Sequence, residues 1–419
     1  MLKSSSSYNT SSKDDPKPQA VDITIIGGGI AGLWTLARLR QAGYQAILLE
    51  ANSLACGQTG ASQGIIHGGT KYALTGKLTH SAQSIGAMPQ RWQACLDGQG
   101  ELDLTQATLL SKHQYLWSNQ SLAAKLTGFF ASKVMSSRMQ RLGKGDHIPP
   151  FNQSNFKGEL YQLDESVLDI QSVAETLRVQ FSEAIFQTEV SNIVPSKDMG
   201  KDTRYQIQLA NKSMLQTQCL VLTAGAGNEQ LLNVLALEQP KMQRRPLLMP
   251  MLKAKASVLP RLYAHCLGVS ALPKMTITSH TLSTSGEPYI IWYLGGEIAE
   301  QGVGRSVIEQ VQCAKKELQM VMPWMDFSSC QWSALAIDRA EPKMSDGSRP
   351  VEPAVYQDHQ VITAWPVKLA MTPIMADKIY HQIEALDIAK NKPIKRVKVT
   401  LETTKTSLLP WEKVTQWIT

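Results

Sequence analysis

Apolar residues first gather at Ile23–Ile26, a short run rich in β-branched side chains, the pattern of a strand buried on both faces. From about Ile30 to Ala42 the spacing turns helical, with Ala31, Leu33, Trp34, Leu36 and Leu39 at its apolar positions. Gly43 closes that helix, as Gly commonly does just past a C-cap. Gln45–Leu49 then predicts a second strand, with Glu50 at its end. Strand, turn and helix recur at Gln218–Leu232 ("QCLVLTAGAGNEQLL"). They recur again near the C-terminus, where Val361–Ala364 predicts a strand and Leu369–Ile383 a helix. Between these, "RRPLLMPMLKA" and "EPYIIWYLGG" predict strands of a mainly antiparallel sheet. Gly302–Pro323 predicts a helix with Val307, Val311, Ala314, Leu318 and Val321 on one face, and Ser121–Leu142 a further helical stretch. The pattern shows no internal repeat, and no apolar run approaches the roughly 18 residues of a spanning helix.

The first turn carries chemistry. Gly27, Gly29 and Gly32 form G-x-G-x-x-G between the predicted strand and helix. The first glycine permits the tight turn, the second lets the backbone approach a pyrophosphate, and the third lets helix and strand pack closely. The N–H groups that open the helix, at Ile30 and Ala31, attract phosphate oxygens. A carboxylate about 20 residues beyond the glycines, here Glu50, accepts hydrogen bonds from ribose hydroxyls and favours NAD or FAD over a 2′-phosphorylated cofactor. Strand, helix and acid all stand in the required context.

Bulk properties narrow the class. At 419 residues the chain exceeds one ordinary domain, and 43% apolar content is that of a globular protein. The formal charge of +7 is spread without a long basic block; it suits an anionic substrate and does not call for specific nucleic acid. Six scattered cysteines without a C-x-x-C pair point to reduced thiols in a cytoplasmic protein. The histidines show no ligand spacing along the chain, so no metal is expected. Met1–Ala20 is polar and lacks an apolar core, which predicts a disordered leader and not a secretory signal. Peripheral contact with the inner face of a membrane stays open.

Past Glu50, "ANSLACGQTGASQGIIHGGTKY" offers a loop of small residues where an NAD dehydrogenase would enter its next βα unit. This loop resembles the D-amino-acid oxidase / glycerol-3-phosphate dehydrogenase family of FAD enzymes, which carry an acid, a Gly/Ser loop and often a segment like Ile65-Ile66-His67-Gly68-Gly69-x-Lys71-Tyr72. Gly158–Leu177, Gln218–Leu232 and Val361–Ile379 resemble further family segments in the expected order, so the likeness covers most of Val21 to about Ala389. Trp365-Pro366 departs from it, standing where many relatives have Gly. The resemblance implies an α/β fold: a Rossmann-like FAD-binding domain interleaved with an α+β substrate domain built on a mainly antiparallel sheet. On this reading 21–90, 158–236 and 334–389 form the FAD domain, 91–157 and 237–333 the substrate domain, and 390–419 a tail.

The implied cofactor is FAD. Its expected contacts are Gly27, Gly29, Ile30, Ala31, Gly32, Glu50, Ala51, Ala61, Ser62, Gly64, His67, Ala224, Gly225, Lys368 and Leu369. A helix starting after Lys368 would aim its dipole at the flavin pyrimidine, and the Lys368 charge would add to it. The implied reaction removes a hydride from a carbon bearing nitrogen or oxygen in a small anionic substrate: an amino acid, a 2-hydroxy acid or glycerol phosphate. Electrons would then pass to oxygen, a quinone or a carrier protein. His67 is the candidate base or flavin contact, since an imidazole exchanges protons near neutrality, and the resemblance also implies covalent attachment to the flavin as an alternative. Lys71 lies beside it in sequence, and Arg339 or Arg349 could grip a carboxylate or phosphate through a guanidinium fork. Tyr289, Trp292 and Tyr293 lie where substrate-sheet residues would face the flavin. Two other classes fit the same residues: a flavin-binding protein of assembly or regulation, and a flavoenzyme acting on a macromolecule such as RNA. The absence of a strand-ending Gly-Asp in the C-terminal third argues against flavin hydroxylases and disulfide reductases.

Overall fold

The computed structural model describes residues 19–69, 85–118, 139–196, 204–267, 273–390 and 403–419. Its strands are β1 (Gln19–Ile26), β2 (Ala46–Glu50), β3 (Leu109–Ser111), β4 (Gln114–Ser118), β5 (Met139–Arg141), β6 (Glu159–Leu163), β7 (Val167–Leu168), β8 (Ile185–Gln187) and β9 (Val190–Pro195). They continue with β10 (Tyr205–Leu209), β11 (Met214–Leu222), β12 (Met242–Lys255), β13 (Ala264–Cys266), β14 (Met275–Leu282), β15 (Tyr289–Gly295), β16 (Gln331–Pro342), β17 (Ala354–Asp358) and β18 (Val361–Trp365). The helices are α1 (Ile30–Gln41), α2 (Met88–Leu96), α3 (Ile170–Gln180), α4 (Asn228–Val234), α5 (Glu297–Glu300), α6 (Val307–Val321), α7 (Thr372–Glu384) and α8 (Pro410–Lys413).

The first sheet runs β17-β18-β11-β1-β2-β8, with β10 and β9 added beside β11. β1 pairs in parallel with β2 and β11, and β11 in parallel with β18. This all-parallel centre is why β1 is buried without a break from Val21 to Ile26: both of its faces are covered. On one side, α1, α2, α3 and α7 close a core holding Ile23, Ile25, Leu36, Val173 and Ile379. The second sheet runs β16-β12-β15-β14-β13-β4-β6-β5 and is antiparallel except between β13 and β4. α6 covers one of its faces through Val311, Ala314, Leu318 and Val321. It is started by a capping box between Ser306 and Glu309. The mixed α/β class and the interleaving of the two sheets follow the expectation.

The domain boundaries need correction. β16 pairs along its whole length with β12, so residues from 334 to 342 belong to the second sheet and not to the FAD domain. β6 likewise pairs with β4 and β5, which moves Glu159–Leu163 out of the FAD domain. Residues just past 91 go the other way: Trp92 packs on Trp34 of α1, ring centroids 4.6 Å apart, so α2 joins the first sheet's core. Gln19 and Ala20, placed in the leader, already pair with β11. Of the helical stretch expected at 121–142, residues up to 138 lie outside the described residues. Met139–Arg141 is a strand because the edge of β6 offers it a ladder of hydrogen bonds. No helix among the described residues is long and apolar enough to cross a membrane.

The C-terminal segment binds both sheets. Leu54 N–H donates to Lys405 O and Ser407 N–H to Leu54 O, stitching the segment to the loop after β2. Ile418 and Trp332 exchange backbone hydrogen bonds at the far end. Trp411 lies between, buried against His280 (ring centroids 4.1 Å apart), Tyr293, Met249 and Met251 on the second sheet.

His280 gives this contact a pH dependence. Its Nε2 is buried with no hydrogen-bond partner among the described residues, and burial pushes the imidazole down to about 3. In the unfolded chain it titrates near ~6.5, so between these values only the unfolded chain takes up the proton. Stability from this group is therefore complete above about pH 6.5 and is lost progressively as the pH falls toward 3. His280→Phe is expected to flatten that part of the acid limb, checked by urea unfolding of both proteins at about pH 4.5 and about pH 7.5.

Candidate active site

The β1–α1 turn is held by backbone geometry that only glycine fits. Gly27 has φ +114°, and a Cβ there would lie 2.5 Å from the backbone of Ala224. A Cβ at Gly32 would lie 2.0 Å from Gly27 O, so α1 presses directly on the turn. Gly29 differs: a Cβ there would meet only Thr59 Oγ1, at 3.0 Å. Space in front of Gly29 is thus kept open toward the cavity and not filled by the protein. Ile30 N–H donates to Thr59 Oγ1 (3.1 Å), and the first turn of α1 carries no acidic residue, leaving its dipole suited to an anion.

Glu50 closes the turn from below. Its Oε2 accepts from Gly28 N–H at 2.6 Å and its Oε1 from Asn52 N–H at 2.8 Å. The carboxylate therefore shapes the turn itself. Glu50→Ala would strand the buried Gly28 N–H and free that of Asn52, and FAD affinity is expected to fall about 10- to 100-fold, read by quenching of FAD fluorescence on titration.

A second turn meets the first. Ala224 N–H donates to Asn228 Oδ1 (2.8 Å), and Trp365 Nε1–H donates to Gly225 O (3.1 Å), which ties this turn to the end of β18. Trp365 thus has a structural role, fastening the second turn to β18. Val367 follows with φ +62°, and Lys368 N–H donates to Pro366 O at 2.6 Å. A β-branched residue in the left-handed region is strained, and this one stands on the cavity wall. The helix expected from Leu369 begins with a 3-10 turn (Leu369–Met371), so α7 proper starts behind the wall.

These turns enclose one side of a cavity of about 780 Å³. Of the expected cofactor contacts, Gly27, Gly29, Ile30, Ala31, Glu50, Ala51, Ala61, Ser62, Ala224, Gly225, Lys368 and Leu369 line it. Gly32, Gly64 and His67 do not: Gly32 is packing, and Gly64 lies against the backbone of Leu168. Sequence reading missed Thr188–Ser191, which follow β8 at the Glu50 end, and Leu335–Asp338 with Ala340 on β16. It also missed Pro410 and Lys413. Lys413 Nζ donates to Cys56 O at 2.9 Å. A carboxylate after a strand is a local signal, but a wall built by a segment 350 residues away in the chain leaves none.

His67 sits farther along the loop that contains Ala61 and Ser62. Its Nδ1 faces Glu165 Oε2 at 3.3 Å, and its ring stacks on His265 with centroids 5.8 Å apart. Donor atoms of His67, Glu165 and His265 lie within 4.8 Å of one another. Spacing along the chain could not reveal this group, because its members come from three separate elements. Lys71 and Tyr72 lie outside the described residues. Arg339 is part-buried on β16, its Nε–H donating to Arg245 O (3.1 Å) and its Nη2 to Glu300 (3.3 Å). Burial, then the charges of Arg245 and Arg349, push its guanidinium below the usual value. Of the aromatic candidates, Tyr293 reaches the cofactor loop, its OH donating to Ala61 O (3.1 Å). Trp292 instead points into the opposite core.

Comparison with known proteins agrees with this geometry. The FAD dependent oxidoreductase (DAO) family profile matches residues 22–281. The FAD-dependent oxidoreductase PA4991 of Pseudomonas aeruginosa is 44% identical over 371 residues, 88% of this chain and 92% of that protein. Its crystal structure superposes with a TM-score of 0.79 at 37% identity, covering 95% of this chain and 99% of that one. L-α-glycerophosphate oxidase from Mycoplasma pneumoniae, solved with FAD bound, shares the fold at a TM-score of 0.62 and 12% identity, over 94% of this chain and 100% of that one. Glycine oxidase from Geobacillus kaustophilus does so at 0.59 and 12%, over 91% and 99%. The residues present fit FAD: an open Gly29, an acid-free helix start and one cavity running from Glu50 to Lys368.

Proposed function

The chain belongs to the FAD-dependent oxidoreductase (DAO) family, and from that premise we propose that it oxidises a C–N or C–O bond of a small anionic substrate. An amino acid, a 2-hydroxy acid or glycerol phosphate are the classes that fit. FAD, when bound, supplies the acceptor for the hydride that leaves the substrate carbon. Gly27–Ala31 would hold its diphosphate, Glu50 and Thr188–Ser191 its adenosine end, and Ala61, Ser62, Lys368 and Leu369 its flavin end.

The observation that carries this reading is the cavity's continuity from the β1–α1 turn to the face of β16, where the two sheets meet. Cations gather at that end. Lys368 and Lys413 are on the wall, which also carries Asp338 of β16; Arg339 does not line the cavity, and its guanidinium is paired with Glu300. The two lysines favour an anionic ligand and orient it by charge. Arg339 is the proposed carboxylate or phosphate grip, and His67 the proposed proton acceptor from the substrate heteroatom. Electrons would leave to oxygen, a quinone or a carrier protein.

The test is anaerobic mixing of the purified holoprotein with amino acids, 2-hydroxy acids and glycerol phosphate, following the flavin absorption band. Bleaching by one class is the expected result. Bleaching by dithionite but by none of these compounds would contradict the proposal.

A further inference from the structure

We propose that Glu165 is the positioning residue of His67, fixing the imidazole tautomer in which Nδ1 carries the proton and Nε2 the lone pair. The inference rests on the reading of His67 as proton acceptor given above. Glu165 lies in the turn between β6 and β7, with its side chain only 4% exposed. Its two oxygens have separate tasks. Oε1 accepts from Gly68 N–H at 2.9 Å, and Oε2 faces His67 Nδ1 at 3.3 Å. A carboxylate accepts hydrogen bonds only, so the ring nitrogen facing it is the one that bears hydrogen. Nε2 is then the basic atom.

The backbone fixes this pairing. Ile66 N–H donates to Ser166 O at 2.9 Å, and Ile65 forms an isolated bridge with Val167, so the His67 loop is fastened to the turn that carries Glu165. His265 lies along the other side of the ring, its plane within 23° of that of His67. Its own Nδ1 is 2.8 Å from Thr276 Oγ1, and Thr276 O accepts from Gln63 Nε2 at 3.1 Å, which links the plate back to the same loop. The His67 ring is thus held at one edge and on one face while its side chain keeps 27% exposure.

During oxidation the substrate's O–H or N–H bond breaks and its proton passes to Nε2 of His67. FAD, when bound, would be the oxidant that takes the carbon's hydride with both electrons, leaving a C=O or C=N bond. Glu165→Gln isolates the tautomer. Gly68 N–H still requires an oxygen, so the amide oxygen turns to it and the NH2 group faces Nδ1. Nδ1 must then accept, Nε2 carries the proton, and the base is lost with little change in shape.

The test has two readouts. In protein labelled with 15N-histidine, with the His67 signal assigned by its loss in His67→Gln, the wild type is expected to show the proton on Nδ1 and Glu165→Gln to show it on Nε2. A proton on Nε2 in the wild type, or on both nitrogens at about pH 8, overturns the proposal. So does stoichiometric zinc uptake by the purified wild type that Glu165→Gln abolishes, since the group would then be a metal site. With a substrate in hand, Glu165→Gln is expected to lower kcat at least ~100-fold with KM changed less than about threefold. The Glu165→Gln/His67→Gln double variant should match His67→Gln alone within about threefold, whereas a merely structural Glu165 would make the losses multiply. The tautomer measurement needs no substrate. An expected spectrum with no compound oxidised would therefore count against the proposed reaction alone, and oxidation with full kcat in Glu165→Gln against the positioning role alone.

Discussion

Gly32→Ala is expected to yield a destabilised protein that holds no FAD. The added methyl would lie 2.0 Å from Gly27 O, 2.8 Å from Thr223 Oγ1 and 3.1 Å from Leu48 Cδ1. The nearest atom is backbone of the turn itself, so relief requires α1 to lift from β1 or the turn to open. Overpacking of this kind costs about 1–3 kcal/mol, and more where backbone must move. Either movement also withdraws the Ile30 and Ala31 N–H groups from the cavity. Urea unfolding and the flavin content of the purified variant measure both effects. Gly286→Ala is the control: a Cβ there meets nothing within 4 Å, and neither quantity should change.

Trp411→Ala should show the second large effect. The ring is 6% exposed and packs on His280, Tyr293, Met249 and Met251, while its helix neighbours Pro410 and Lys413 wall the cavity. Truncating a buried Trp costs about 3–5 kcal/mol. Loss of this anchor also frees the Lys413–Cys56 contact, so FAD should be held less tightly as well as the fold weakened. Denaturant unfolding with and without added FAD separates the two: the gap between variant and wild type should widen when FAD is present. An unchanged midpoint would mean that the C-terminal segment is not part of the folded core.

The parts of the fold legible in the sequence are those whose causes are local. Ile23–Ile26, the three glycines and Glu50 lie within one short stretch, and each has a geometric requirement that few residues meet. Residues 218–232 and 361–383 repeat that grammar, which is why Ala224, Gly225, Lys368 and Leu369 could be placed on the cavity in advance. The boundaries at 158 and 334 were not legible, because sheet membership depends on long-range partners: β16 carries nothing that marks it as belonging beside β12 and not β18. Gly64 was expected at the cofactor and instead lies against the backbone of Leu168, since a small residue beside a ligand and one beside a backbone look alike in sequence; Gly32, also placed among the contacts, keeps only the packing role read for it. Glu165, His265 and Trp411 were invisible for the same reason. They are ordinary residues made special only by what the fold brings next to them.

The central claim is that the cavity between the glycine turns and the face of β16 is built for FAD. The most direct measurement is the FAD content of the purified protein, from its visible spectrum and from flavin released on acid precipitation. Stoichiometric FAD, co-purified or taken up on incubation, is the expected result. Colourless protein that binds none after incubation with excess FAD would contradict it.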